Sequence, residues 1–168
     1  MIQRIALRIP KERIDIIAKF KKDIEREGNV EIEINSEILI VGDGLNAYVT
    51  SNVIKAIGRG FCYEDAKKLF KDYTLYVIPI SKNRNTLQRI RARLIGTKGK
   101  VRKKIEEMTN TKICIYGKTV SIIGKGDNLN LARSIIEKII EGYSHSYVFR
   151  LLQLCKRKRE AAKEDEIE

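Results

Sequence analysis

Leu94-Ile95-Gly96-Thr97-Lys98-Gly99-Lys100 is the stretch around which this chain is organised. Its Ile-Gly-x-x-Gly run closes one amphipathic segment, Leu87 to Ile95, and opens another, Val101 to Met108. Two glycines therefore stand where the backbone must turn and approach something closely. A helix starting at this point presents unpaired N–H groups and a partial positive charge, which suits an anion. Yet Lys100, Arg102, Lys103 and Lys104 crowd that same positive end before Glu106 and Glu107 arrive. From Arg84 to Lys104 there are nine Lys or Arg and no Asp or Glu, an uncompensated field that a phosphate-bearing polyanion relieves. The plainer alternative is a solvated basic face around an ordinary helix-to-helix turn. A nucleotide-binding P-loop is excluded, because Gly96 to Lys100 is too short for it and Val101 stands where that loop needs a hydroxyl for magnesium.

The rest of the composition agrees with a charged partner. The chain has 168 residues, 43% of them hydrophobic, enough to build a core without covalent staples. A net charge of +12 arises from 34 basic and 22 acidic residues, a mixed surface with a basic excess. Nucleic acid is the first partner class this suggests, and an anionic membrane surface the second. Met1 to Pro10 alternates instead of forming the apolar run of a signal peptide, and no stretch reaches the length of a membrane span. A cytoplasmic protein is expected. Cys62, Cys114 and Cys155 lie far apart and His145 is the single histidine, so neither a disulfide framework nor a zinc site is expected, and no other metal or cofactor. Each cysteine reads as a buried or half-buried small apolar residue.

An internal repeat sets the architecture. At an offset of 81, Lys19 pairs with Lys100, Ile24 with Ile105, Glu25 with Glu106, Asn29 with Asn110 and Ile32 with Ile113. One residue inserted at the hairpin makes the offset 82, which pairs Gly42 with Gly124, Gly44 with Gly126, Ile54 with Ile136 and Ile57 with Ile139. Each copy reads strand, helix, helix, strand, strand, helix. The first copy has strands over Arg4 to Ile9, Val30 to Ile34 and Ile38 to Val41, helical residues from Lys11 to Glu27, and a closing helix from Leu45 to Gly58. The second repeats this with strands Leu75 to Ile80, Lys112 to Tyr116 and Val120 to Ile123, helical residues from Leu87 to Met108, and a closing helix from Leu129 to Glu141. The predicted fold is α+β: two units in tandem, 1–73 and 74–168, each a three-stranded antiparallel sheet with helices on one face, followed by a C-terminal helix.

The copies differ where the turn lies. Opposite Gly96 to Gly99 the first copy has Asp15-Ile16-Ile17-Ala18, without glycine, and Pro10 to Asp23 mixes five basic with three acidic residues. The second copy also inserts Ser81 to Thr86 between its first strand and its helix. Anion contact is therefore assigned to the second copy, and packing or protein binding to the first.

Ile95-Gly96-x-x-Gly99 followed by Ile105, a hairpin and a helix resembles the KH nucleic-acid-binding domain, whose GxxG loop clamps the backbone of about four single-stranded nucleotides. Further correspondences lie in Leu87-Gln88-Arg89 with Arg91 and Arg93, Ile115 to Gly124, and Glu141-Gly142 with His145 and Tyr147 to Leu151. A degenerate first KH unit before an intact second one is similar to an archaeal ribosome-assembly family, whose eukaryotic relatives partner the Nob endonuclease and the rRNA dimethylase. The resemblance implies two type I KH domains and a non-catalytic factor that holds the 3′ end region of small-subunit rRNA, with those two enzymes as protein partners. It also implies the site: backbone N–H groups of Gly96, Thr97, Lys98 and Gly99, charges from Lys98, Lys100, Arg102, Arg91 and Arg93, and a groove floor including Ile95 and Ile105. Arg102 departs from the usual KH pattern, which has an apolar residue there. A different KH protein, acting in RNA decay or transcription, is the nearest alternative. An RNA-processing enzyme is disfavoured because metal-dependent cleavage needs converging carboxylates, and the acids here are scattered among lysines.

The remaining features have plainer readings. No Phe or Trp adjoins the loop in sequence, so aromatic stacking is not indicated. Tyr116 to Thr119 is a hairpin turn, and Ser144 an N-cap that starts the last helix beside His145. That helix, Tyr147 to Arg159, carries an apolar stripe of Val148, Leu151, Leu152 and Cys155. Its end, Lys156 to Arg159, either prolongs an RNA track or is a solvated terminus favourable to the helix dipole. Lys163 to Glu168 reads as a frayed acidic tail.

Overall fold

A computed structural model describes residues 1–167; Glu168, the last residue of the expected second unit and of its tail, lies outside the described residues. The first half runs β1 (Ile2–Leu7), α1 (Lys11–Gly28), β2 (Val30–Ile34), β3 (Ile38–Asp43) and α2 (Gly44–Gly58). A short helix α3 (Tyr63–Ala66) and a 3-10 turn (Lys67–Phe70) lead into the second half. There β4 (Thr74–Pro79), α4 (Arg84–Ile95), a 3-10 turn (Thr97–Gly99), α5 (Lys100–Thr109), β5 (Lys112–Tyr116), β6 (Thr119–Gly124) and α6 (Gly126–Glu141) are followed by α7 (His145–Asp165). The strands form two antiparallel three-stranded sheets, in the orders β1-β3-β2 and β4-β6-β5.

The repeat seen in the sequence is a repeat of contacts. Ile32 faces Ile40 in one sheet as Ile113 faces Ile122 in the other. Asn29 and Asn110 end α1 and α5 in the same left-handed conformation. The Glu25 carboxylate accepts the Ile32 N–H at 2.8 Å, and Glu106 accepts the Ile113 N–H at 2.9 Å, so one glutamate in each unit ties the helix to the next strand.

Two expectations about the helices are corrected. The first unit has one helix, not two, between its first and second strands: α1 runs unbroken through Asp15 to Ala18, with Ile17 fully buried. By sheet register Gln3 is equivalent to Thr74, each opposite an equivalent glycine (Gly42, Gly124), an offset of 71, whereas the helix ends Asn29 and Asn110 are offset by 81. The second unit thus carries ten more residues here, and they form most of α4 instead of the polar loop expected over Ser81 to Thr86. Asn83 starts that helix early, its side chain accepting the Thr86 N–H at 3.0 Å. The second correction lies at the far end, where α7 runs past the expected end at Arg159 and continues helically through Lys163 to Asp165, the first half of the expected frayed tail.

The two sheets have different surroundings. On β6, Val120 and Ile122 join the core formed with α4, α5, α6 and α7, whereas Ile123 belongs to the core of the first unit. Leu75 and Cys114 pack on that same first core, and a Cβ at Gly60 would lie 2.6 Å from the Cys114 sulfur. The second sheet is therefore covered on both faces, by its own helices and by the first unit. Burial pushes the Cys114 thiol above its ordinary range. Cys62, in contrast, is exposed, contrary to expectation, and its thiol donates to Asp65 at 3.4 Å.

Candidate nucleic-acid interface

The turn joining α4 to α5 has the backbone its glycines predict. Gly96 sits at φ 71°, ψ −179°, and Gly99 at φ 73°, ψ 15°, both in space that side-chain-bearing residues rarely enter. Lys98 between them also adopts positive φ, at 54°. A Cβ on Gly96 would stand 2.4 Å from Val101 Cγ2, so glycine is required there by close approach as well as by conformation. Among the described residues no side chain caps the start of α5. Within the turn the Gly99 N–H donates to the Gly96 carbonyl at 3.2 Å and the Lys100 N–H to the Thr97 carbonyl, and the exposed side chains of Thr97, Lys98 and Lys100 stand around the positive end of the helix.

The other expected site residues divide. Arg91 is half-buried on α4. Arg93 donates to the carbonyl oxygens of Ile139 (3.1 Å) and Tyr143 (2.5 Å), clamping the C-terminus of α6. Arg13 makes the equivalent clamp in the first unit, on Ile57 and Phe61 at 2.8 and 2.7 Å, which marks this arginine as part of the fold. Arg102 lies 2.9 Å from Glu106 and donates weakly to the Ile113 carbonyl at 3.4 Å, so much of its charge is locally compensated. Ile105, Leu94 and Ile113 are core residues, whereas Ile95 and Ile115 are half-exposed. The glycine turn with Lys98 and Lys100 is the coherent part of the expected set.

Sequence reasoning missed what α7 brings to this end of the molecule. Ser144 accepts the Tyr147 N–H at 3.2 Å as expected, and His145 Nε2 lies 2.9 Å from the Arg93 carbonyl oxygen. The helix then places Phe149 under the Lys104 ammonium, 4.2 Å from the ring centroid. Tyr143 and Tyr147, either side of His145 in the chain, stack on one another with centroids 5.1 Å apart. An aromatic ring absent from the local sequence, Phe149, therefore packs on the helix that follows the glycine turn and lies 6.2 Å from the His145 ring. Between the turn and His145 lies a cleft of about 690 Å³. At its other end α7 is tethered by Arg159, which donates to Asn128 Oδ1 at 2.7 Å and to the Asp127 carbonyl at 2.9 Å. Arg159 is thus a structural anchor, while Lys156, Arg157 and Lys158 are exposed. Among the described residues, no cluster of His, Cys, Asp and Glu is arranged to hold a metal ion, and no helix is long and apolar enough to cross a membrane.

A three-stranded antiparallel sheet backed by three helices, with a Gly-x-x-Gly turn between the first two, defines the second half as a type I KH domain. Residues 74–157 match the family of second PNO1 KH domains, described as a eukaryotic type KH-domain (KH-domain type I), and the chain belongs to this family. A KH domain-containing protein of Methanocaldococcus jannaschii is 34% identical over 172 positions, which cover 94% of this chain and 76% of that protein. The pre-rRNA-processing protein PNO1 of Chaetomium thermophilum is 28% identical over 136 positions, 77% of this chain and 51% of that longer protein. Among solved structures, Dim2p from Pyrococcus horikoshii superimposes with a TM-score of 0.83 at 35% identity, covering 90% of this chain and 98% of that one. A chain of the a/eIF2alpha–aDim2p–rRNA complex from the same organism superimposes with a TM-score of 0.87 at 34% identity, covering 94% and 96%.

Proposed function

We propose that this chain holds single-stranded RNA at the Gly96–Gly99 turn, and that the RNA is the 3′ end region of small-subunit rRNA during maturation of the subunit in the cytoplasm. The observation that carries this reading is the side-chain-uncapped start of α5 beneath two positive-φ glycines, ringed by Thr97, Lys98 and Lys100. Backbone N–H groups there take phosphate oxygens without regard to sequence, and the lysines add charge-assisted contacts. The rRNA in the Pyrococcus complex and the processing role in the name of the Chaetomium relative support the choice of RNA. In this reading the chain divides into units 1–73 and 74–168, the second grips RNA, and the first meets protein partners. Those partners include an initiation-factor subunit of the kind in the Pyrococcus complex, the Nob endonuclease and the rRNA dimethylase. The role is non-catalytic.

The test compares a short RNA copying the 3′ end of small-subunit rRNA with a scrambled RNA of equal length. Each is titrated against the parent chain and against a Thr97→Asp, Lys98→Asp double variant, which keeps both glycines. The expected result is preference for the rRNA sequence, a large loss in the variant, and a log–log salt slope of about 0.7 per phosphate neutralised. Tight binding indifferent to sequence would remove the ribosomal assignment and leave the KH site. A variant that binds like the parent would remove the site itself.

A further inference from the structure

The tyrosine pair on the α6–α7 junction has no role in holding the fold that its rings explain. Tyr143 accepts from Arg93 through its backbone carbonyl, and Tyr147 completes the N-cap through its backbone N–H. Val148 and Leu152 supply the buried stripe of α7, leaving Tyr143 and Tyr147 at 42% and 40% exposure, stacked with an interplanar angle of 22°. Large rings kept in water at this density are suited to receive another flat, apolar face. The Lys138 ammonium lies 5.3 Å from the Tyr143 centroid, which favours an anionic strand at this edge. The cleft is lined by Arg93, Gly96, Thr97, Lys100 and Val101 together with His145, so it reaches from the proposed phosphate site to the start of α7, two residues before Tyr147. A carbonyl oxygen only accepts, so His145 Nε2 donates to Arg93, which ties the start of α7 to α4.

We propose that Tyr147, backed by Tyr143, is a stacking platform for a nucleobase of the same single-stranded RNA, one flanking the nucleotides clamped at the Gly96–Gly99 turn. The platform rests on the RNA-binding reading above and extends the strand past the KH groove to the start of α7. Stacking on a tyrosine face tolerates any base, so the platform adds affinity and strand length more than base choice.

The test uses the full chain and two RNAs, one of about four nucleotides, the length a KH groove clamps, and one extended on both sides. In the extended RNA a fluorescent 2-aminopurine replaces a flanking base, on either side in turn. Tyr147→Ala is expected to weaken the extended RNA about tenfold and to leave the short one unchanged, as loss of one base–aromatic stack does. Quenching of the fluorescent base on one flank is expected in the parent and in Tyr147→Phe, and its release in Tyr147→Ala. Unchanged binding of the short RNA by Tyr147→Ala excludes a fold defect as the cause, and retention by Tyr147→Phe assigns the effect to the ring and not the hydroxyl. If Tyr147→Ala binds the extended RNA like the parent while the Thr97→Asp, Lys98→Asp variant loses both RNAs, the platform is overturned and the turn stands; the tyrosine face is then free for a protein. If that double variant loses neither RNA, the turn itself has been misassigned, and the platform beside it falls too.

Discussion

Single residues show why two glycines that look alike in the sequence are not equivalent. Gly99 lies in the left-handed region at φ 73°, ψ 15°, close to the conformation its neighbour Lys98 already adopts with a side chain. Nothing lies closer than 3.9 Å to the position of its missing Cβ. Gly96 has a positive φ together with ψ −179°, and its Cβ would press on Val101 at 2.4 Å for Cγ2 and 3.0 Å for the backbone nitrogen. Gly99→Ala is expected to cost about 1–2 kcal/mol, the ordinary left-handed penalty. Gly96→Ala is expected to cost about 3 kcal/mol, because strain and overpacking coincide there. Urea unfolding of the two variants measures the difference, and equal costs would mean that the turn relaxes around Gly96. The need for glycine was legible in the spacing. The inequality was not, because it depends on which atom of Val101 stands nearby. Arg93 was hidden for a similar reason: its charge suggested a ligand, and only the carbonyl oxygens exposed at the end of α6 show that the fold has already claimed it.

At the scale of elements, α1 explains why the glycine turn occurs once in a chain built from a repeat. Where the second unit breaks into α4, turn and α5, the first continues as one helix, and the position matching Lys98 is Ile17, with no exposed surface. Transplanting the loop as Asp15→Gly, Ile16→Thr, Ile17→Lys and Ala18→Gly would put an ammonium into that core and two glycines into a helix interior. Such a chain is expected to lose more than about 4 kcal/mol and to gain no RNA binding through the first unit; Ile17→Ala alone is expected to cost about 2–5 kcal/mol. Circular dichroism with urea titration checks both, and a grafted chain as stable as its parent would show that α1 can be broken as its counterpart is. Strands and closing helices were readable because alternation and the 3.6-residue period report directly which face is buried. The single helix was not, since the missing ten residues lie between two stretches that align well on either side. The aromatic cluster was also invisible, because Phe149 meets Lys104 only after α7 has folded back on the domain.

On the scale of the whole molecule, the asymmetry between the units gives each sheet a different fate. The strand β6 is buried along both faces, which its run Val120-Ser121-Ile122-Ile123 permits, whereas β1 and β2 expose Ile2, Arg4, Ala6, Glu31 and Glu33. The first unit is thereby the cover of the second, and it holds the sheet beneath the glycine turn in place. One polar contact closes the edge of this interface: the Tyr116 hydroxyl, at the hairpin of the second unit, donates to the Glu12 carboxylate at the start of α1. That bond holds the Glu12 carboxyl below its ordinary value of 4.5 and raises the Tyr116 phenol above its ordinary 10.0. The lowered carboxyl contributes stability that is complete above 4.5 and is lost as pH falls from there through its folded value; the raised phenol contributes stability that is complete below 10.0 and is lost as pH rises through its folded value. Tyr116→Phe removes both contributions while keeping the ring. The urea midpoint of the variant should therefore lie below the parent's at about pH 7 and converge on it as the pH falls from 4.5 through the folded value of Glu12, where the parent loses the contribution too. A gap of constant size across that range would mean that the hydroxyl acts through packing instead of through Glu12. The effect belongs to an exposed hydrogen bond and will be small beside the apolar contacts of Ile123, Leu75 and Cys114, so the units are expected to unfold together at either pH, with the interface weakened but not parted.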